Sequence, residues 1–516
     1  MNENWQILKK TVYVTAIGGI TQIIGFFIPI LIANFFGTSS QVDAYYFAIS
    51  IPLLIIGIIV SGSLKIIFIP IFIEEKEKNP ENINIFIGQI TTFLIIISLI
   101  IIAGIAVLLE FGVLNFLNRR STIQYTHDYI LILLPLIPIT IIFNLYNAIY
   151  NAYQKFALFE ISNAIKYIIT IICILLLHER FHILSAIYGQ LLGQFVALVF
   201  SIVILKLSIK VNLRPQFIFN KSQINLLKLS SLSLGAFVFA QLNTFITKVI
   251  AGFLQEGSIS IIGYVDRLST IPTFIIGGSF SMILTSYWSV FVVNKKSEDL
   301  NNSFNKTISA LSIILFPISI GLYYLAEPIV QVIYQRGSFD INTAIITAKV
   351  FALFSIQIIP LYYNNVLSRI LHVNKSLNYL FIFSMVAFIL NTLLMYCLSI
   401  YTGLGILGIP IGLIIGRFSM TAVNFLYVNY KYVDIHFKDL GIKNFKSMLA
   451  TTVMIASLII FNKLIELYGN YMVQVVILII NMVLGAFVYF VILKLLSHPE
   501  FETIIMMLRK KLGKSN

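Results

Sequence analysis

Apolar residues run through this chain in long blocks, separated by short polar breaks. Counting stretches that reach the roughly 20 residues needed to cross a bilayer gives about 14 spans. They fall near residues 11–36, 44–72, 83–109, 129–153, 157–177, 183–207, 231–254, 259–292, 308–334, 343–371, 379–400, 404–428, 448–467 and 473–496. Such runs are predicted to be helices, because a lipid-exposed backbone must satisfy its own hydrogen bonds. The second span is unlike a helix that only faces lipid. It holds Asp43 at its start, Lys65 deep inside, Pro52 and Pro70, and a Ser61–Ser63 step around Gly62. Charge and broken backbone persist at membrane depth where they face protein or a polar chamber.

A repeat runs beneath the pattern. Ile32-Ala33-Asn34-Phe35, Asp43 and Ile51-Pro52-Leu53-Leu54-Ile55-Ile56-Gly57 are echoed by Ile250-Ala251-Gly252-Phe253, Asp266 and Ile271-Pro272-Thr273-Phe274-Ile275-Ile276-Gly277. Six spans precede the echo, so both copies keep the same orientation. The fold class expected is all-α and polytopic, with two parallel six-helix lobes and two further C-terminal helices. The boundaries expected are 1–207 for the first lobe, 208–230 for a basic linker, 231–430 for the second lobe, and 431–516 for the last two helices and a basic tail.

Composition agrees with a membrane protein: 59% of the 516 residues are hydrophobic and 11% are charged, against about a quarter charged in soluble domains. The net charge of +14 does not point to nucleic acid. Its lysines and arginines lie in short connections on one side of the spans, at Lys9, Lys10, Lys76, Lys78, Lys155, Lys295, Lys296, Lys375 and through 206–228, 431–446 and 509–514. That asymmetry places these connections and both termini in the cytoplasm, and the first span is expected to act as its own insertion signal. Cys173 and Cys397 both lie in apolar spans and imply no disulfide framework.

The candidate chemistry is charge inside the spans. Lys65, Lys248 and Arg267 stand on the second, seventh and eighth spans, those related by the repeat. They are expected to face a shared cavity suited to an anionic cargo, since the guanidinium fork matches phosphate. Asp43 and Asp266 read either as helix-terminus caps or as an outer gate and a partner for Arg267. Glu160 and Lys349 are read as reaching the interface, and Arg369 and Arg417 as contacting headgroups. Asn144, Asn147 and Asn151 share one face of the fourth span. They would line a sugar-facing wall or bond neighbouring helices. No catalytic or metal-binding pattern stands out. His178 and His182 lack a zinc-site context, and no Walker A sequence occurs.

Three stretches resemble the MurJ/MviN family of the multidrug/oligosaccharidyl-lipid/polysaccharide (MOP) exporter superfamily. The first runs from Asn34-Phe35-Phe36-Gly37-Thr38-Ser39 through Asp43-Ala44-Tyr45-Tyr46-Phe47-Ala48, Ile51-Pro52, Gly62 and Ile69-Pro70. The others are Tyr264-Val265-Asp266-Arg267-Leu268 with Ile271-Pro272, and Tyr334-Gln335-Arg336-Gly337-Ser338-Phe339. The resemblance implies two rocking six-helix lobes, a groove at the last two helices for a lipid tail, and alternating access. It implies a bacterial inner-membrane flippase, without cofactor or metal, that moves an undecaprenyl-pyrophosphate-linked glycan, lipid II or a polysaccharide unit, to the outer leaflet. Its partners are that lipid-linked glycan and the phospholipid bilayer, and a monomer is expected. The chain departs from the family at cationic positions of the first two helices. Gln22 and Ile28, with Pro29 in place of an acid, stand in the first; Ile56 and Gly57, with Ser61 in place of an acid, stand in the second. Lys65 and Lys248, with Arg267, would rebuild the charge at another depth. The rival readings are a MATE-like small-molecule exporter and a non-transporting membrane scaffold.

Overall fold

A computed structural model describes residues 2–60, 68–78, 80–116, 120–209, 221–464 and 471–511. No strand occurs among the described residues, and the helices follow one another almost without loops. They are α1 (Asn2–Phe36), α2 (Ser40–Ile59), α3 (Ile69–Lys78), α4 (Ile83–Glu110), α5 (Arg120–Leu133), α6 (Leu136–Ala152) and α7 (Phe156–Phe181). Next come α8 (Leu184–Ile204), α9 (Lys221–Gly252), α10 (Ser258–Val293), α11 (Ser297–Tyr324), α12 (Ala326–Tyr334), α13 (Ile341–Ile356) and α14 (Ile358–Val373). The chain ends with α15 (Leu377–Ile400), α16 (Gly408–Lys431), α17 (Phe437–Leu464), α18 (Tyr471–Leu495) and α19 (Pro499–Lys511). The described residues of the expected spans are almost entirely helical, while 61–67 and 465–467 lie outside the described residues. Among the described residues, twelve helices are long and apolar enough to cross a membrane. Side chains such as Leu176, Val483 and Phe487 are exposed on them, as suits helices whose outer solvent is lipid.

Proline explains where single spans become two helices. A proline lacks the N–H and its ring strikes the carbonyl four residues back. For Pro138, Pro328 and Pro360 those carbonyls belong to Leu134, Tyr324 and Ile356. The preceding helices α5, α11 and α13 end at Leu133, Tyr324 and Ile356, and each proline is the third residue of the next helix. The span expected at 308–334 is accordingly α11 followed by a separate α12. α11 also starts earlier, at Ser297, where Glu298 and Asp299 favour a helix N-terminus.

Two turns that lie six spans apart are alike. The turn from α6 to α7 has Gln154 at φ 56°, and the turn from α14 to α15 has Lys375 at φ 55°. Each is sealed by the same bond, Lys155 N–H to Tyr150 carbonyl and Ser376 N–H to Leu371 carbonyl, both 2.9 Å. The next helix pairs also match. On α8, a Cβ added at Gly193 would lie 2.5 Å from the Lys166 carbonyl oxygen of α7. On α16, a Cβ at Gly412 would lie 2.6 Å from the Met395 nitrogen of α15. Small residues at these spacings let two backbones touch.

Packing sorts the chain into two compact units. One comprises Met1–Gly263 with Arg336–Asp340, the other Tyr264–Gln335 with Ile341–Asn516. In the second, α17 and α18 pack on α11 around Ile313, Ala450, Met454, Tyr489 and Leu493. The amphipathic α19 was not among the expected spans, being too short and too charged. It is tied down by Glu500, which accepts from Lys443 Nζ at 2.8 Å.

Candidate functional site

Parts of the first and third stretches that carry the family resemblance meet at one end of the first unit. Phe36 ends α1, Gly37 turns the chain at φ 61°, and Ser40 starts α2. This leaves Asp43 in the first turn of α2, only 4% exposed. Its carboxylate caps another helix. It accepts the Gly257 N–H and the Ser260 N–H, each at 2.7 Å, at the start of α10. The arrangement is reciprocal: Glu256, just before α10, accepts the Ser40 N–H at 2.8 Å and the Ser40 hydroxyl at the start of α2. Two orphan helix N-termini are each satisfied by the other's carboxylate. Glu256 and Ser40 were not among the residues expected, because neither signals its partner along the sequence.

The Arg336-Gly337-Ser338-Phe339 stretch completes this clasp. The Ser338 N–H donates to the Asn34 carbonyl at 2.8 Å, and its hydroxyl donates to the Phe35 carbonyl at 3.1 Å. These are the orphan carbonyls at the end of α1. Gly337 sits at φ 56°, and a Cβ there would lie 2.2 Å from the Asn34 carbonyl oxygen. Only glycine combines that conformation with that approach.

The expected cations are placed as follows. Lys248 is on α9 and only 7% exposed. Lys65 lies outside the described residues. Arg267 is half-buried on α10 in the second unit, where its charge acts on the fully buried hydroxyl of Tyr334. That hydroxyl donates to the Tyr264 carbonyl at 3.3 Å. Asp266 is also half-buried, more than two turns into α10, and lies within electrostatic reach of Arg417 on α16. The Asp266–Arg417 relation joins residues far apart in sequence, and no local pattern announces it.

The three asparagines of α6 separate. Asn144 Nδ2 donates to the Thr140 carbonyl of its own helix at 2.8 Å. Asn151 is half-buried. Asn147 is 4% exposed, and neither its Nδ2 nor its Oδ1 has a partner. An unmet buried amide is costly, which sets Asn147 apart from its two neighbours.

One position that the resemblance marks as lacking a cation, Gly57, has a structural account. A Cβ at Gly57 would lie 2.6 Å from the Gln241 amide of α9. The amide of Gln241 thus fills the space a side chain at Gly57 would need. No group of three or more metal-ligating side chains occurs among the described residues.

Comparison with known proteins bears on the whole chain. The model of the family described as "Lipid II flippase MurJ" matches residues 32–483. A "Probable lipid II flippase MurJ" of Buchnera aphidicola subsp. Baizongia pistaciae is 30% identical over 363 residues, 69% of this chain and 70% of that one. Its counterpart in Rickettsia prowazekii is 27% identical over 487 residues, 91% and 94% of the two chains. Among solved structures, "Lipid II flippase MurJ, inward closed conformation" matches with TM-score 0.78 at 21% identity, covering 94% of this chain and 98% of that one. An inward-facing MATE family transporter of the MOP superfamily matches with TM-score 0.65 at 14% identity, covering 80% and 98%. These likenesses establish the fold as that of the MOP exporters.

Proposed function

Since the chain belongs to the MurJ family of lipid II flippases, we propose that it moves an undecaprenyl-pyrophosphate-linked glycan from the cytoplasmic to the outer leaflet. The observation that carries this reading is the family match over residues 32–483, which runs from the end of α1 to the middle of α18. A flippase makes and breaks no covalent bond in its cargo. Its work is to bind in one state and release in another. A MATE-like exporter is less well supported, because the MATE structure covers 80% of the chain and the MurJ structure 94%.

The transport lobes are residues 1–207 and 231–430, joined by the basic linker 208–230, with both termini cytoplasmic. The matched turns at Gln154 and Lys375 and the matched glycine contacts support that division. Lys65, Lys248 and Arg267 hold the pyrophosphate. The near-complete burial of Lys248 supports its part, because it keeps the charge inside the protein and away from lipid. Asn147, with both amide atoms free, contacts the sugar. Asp43 is the latch of the outer gate: its two bonds to the start of α10 are made in this state and released in the other. Asp266 holds the neighbouring cations in place through its field at Arg417.

Reconstitution of the purified chain in vesicles tests this, with a lipid-linked pyrophosphate glycan as cargo. Wild-type protein is expected to flip it, and Lys65→Ala, Lys248→Ala and Arg267→Ala to lower the rate roughly tenfold or more, the loss of one charge-assisted contact. Full activity in all three variants would remove these residues from the site.

A further inference from the structure

The transport reading gives no residue of α17 or α18 a part, although both helices pack on α11 of the second unit. Pro317 shows what they supply. It lies inside α11, with helix on both sides. A proline in a helix interior has no N–H, so the carbonyl four residues before it loses its intrahelical donor. For Pro317 that carbonyl belongs to Ile313, which is buried. A buried carbonyl left without a donor is costly.

The donor comes from α18. The Tyr489 hydroxyl donates to the Ile313 carbonyl at 2.8 Å. Tyr489 is itself buried and shares its core cluster with Ala450, Met454 and Leu493. A second bond leads onward. Two residues past the proline, the buried Ser319 hydroxyl donates to the Ser355 carbonyl at 2.8 Å. Ser355 is the last residue but one of α13, where the chain breaks before α14 and Pro360. The last carbonyls of a helix have no intrahelical donor. α11 thus receives a donor from α18 at its own gap in the ladder and gives one to the gap between α13 and α14.

We propose that Tyr489 is a positioning residue for transport. Its hydroxyl stands in for the N–H that Pro317 lacks, so α18 holds the proline site of α11 and, through Ser319, the junction of α13 and α14. The last two helices act as a splint on the second lobe. The place of Tyr489 in transport rests on the flippase reading above; the hydrogen-bond relay does not.

A double-substitution cycle on the purified full-length chain, read by amide hydrogen exchange, tests the relay. Tyr489→Phe keeps the ring and removes only the hydroxyl. It is expected to speed exchange across 313–324 roughly tenfold, the effect of one buried hydrogen bond. Pro317→Ala returns an N–H to the ladder, and in that background Tyr489→Phe is expected to change exchange by less than about twofold. Pro317→Gly restores the same N–H and takes its place if the alanine variant fails to fold. A hydroxyl that only fills space would matter equally in both backgrounds. That result would overturn the proposal, as would unchanged exchange in Tyr489→Phe alone. Ser319→Ala is expected to speed exchange across 353–361, and no change there would remove α13 and α14 from the relay. In vesicles with a lipid-linked pyrophosphate glycan as cargo, Tyr489→Phe is expected to lower the maximal flipping rate severalfold. The half-saturating cargo concentration stays the same, because no residue of the relay is among those proposed to hold the cargo. An unchanged rate would overturn the role in transport. Wild-type protein that flips no cargo would instead overturn the flippase reading, which the exchange cycle does not use.

Discussion

Replacing Asp43 with asparagine isolates the clasp between α2 and α10. Asparagine keeps the shape of the side chain and one acceptor. It turns the other oxygen into an NH2 group facing a backbone N–H, so either Gly257 or Ser260 loses its partner. A hydrogen bond to a charged group contributes about 1.5–3 kcal/mol, and the charge at the α10 N-terminus adds about 0.3–1 kcal/mol. Asp43 is only 4% exposed, so solvent screening removes little of this. The expected loss is about 2–4 kcal/mol, and at 1.4 kcal/mol per tenfold local opening rises roughly 30- to several-hundred-fold. Amide hydrogen exchange reads the effect directly. Peptides spanning 254–262 are expected to exchange faster in Asp43→Asn by that factor, with peptides from α7 and α8 unchanged. Equal exchange across 254–262 in the two proteins would refute the argument, because those two amides would then not depend on the carboxylate for protection.

Two further outcomes follow from the same geometry. Gly337→Ala combines a left-handed backbone cost of about 1–2 kcal/mol with a Cβ placed 2.2 Å from the Asn34 carbonyl oxygen. It is expected to lower the thermal midpoint well beyond Gly403→Ala, which has φ 74° but nothing within 4 Å; equal losses would show that the close approach is unimportant. His498 is fully buried beside Glu500, and burial outweighs that carboxylate and holds its imidazole below the usual value. The detached state then takes up the proton first, so docking of α19 is intact above about pH 6.5 and weakens as pH falls below it. Limited proteolysis across 499–511 at pH 7.5 and pH 5 is expected to show more cleavage in acid, and His498→Phe to remove the difference.

The helices of this protein were legible in its sequence because lipid leaves the backbone few options. An apolar run long enough to cross must be helical, and the described residues of the expected spans are almost entirely helix. The proline breaks were equally present in the sequence, at Pro138, Pro328 and Pro360, but hydropathy averages over them. Pro29, Pro52, Pro272 and Pro317 remain inside helices, so the residue type does not by itself mark a break. α19 escaped notice because a short amphipathic helix on the surface has no apolar run to detect.

What the sequence determined by itself is thus the membrane-crossing architecture and the family, both of which rest on local pattern. Partners were decided only by the tertiary structure. Asp43 looked like a cap for its own helix or a gate, and it caps the start of α10, more than two hundred residues away. Gly57 looked like a lost charge, and its space belongs to Gln241. Asn144, Asn147 and Asn151 looked equivalent, and Asn147 is the one whose amide is buried without a partner. The physical reason is common to all three. Helix formation is set by neighbours along the chain, whereas the partner of a buried polar group is set by which distant backbone packing brings within about 3 Å.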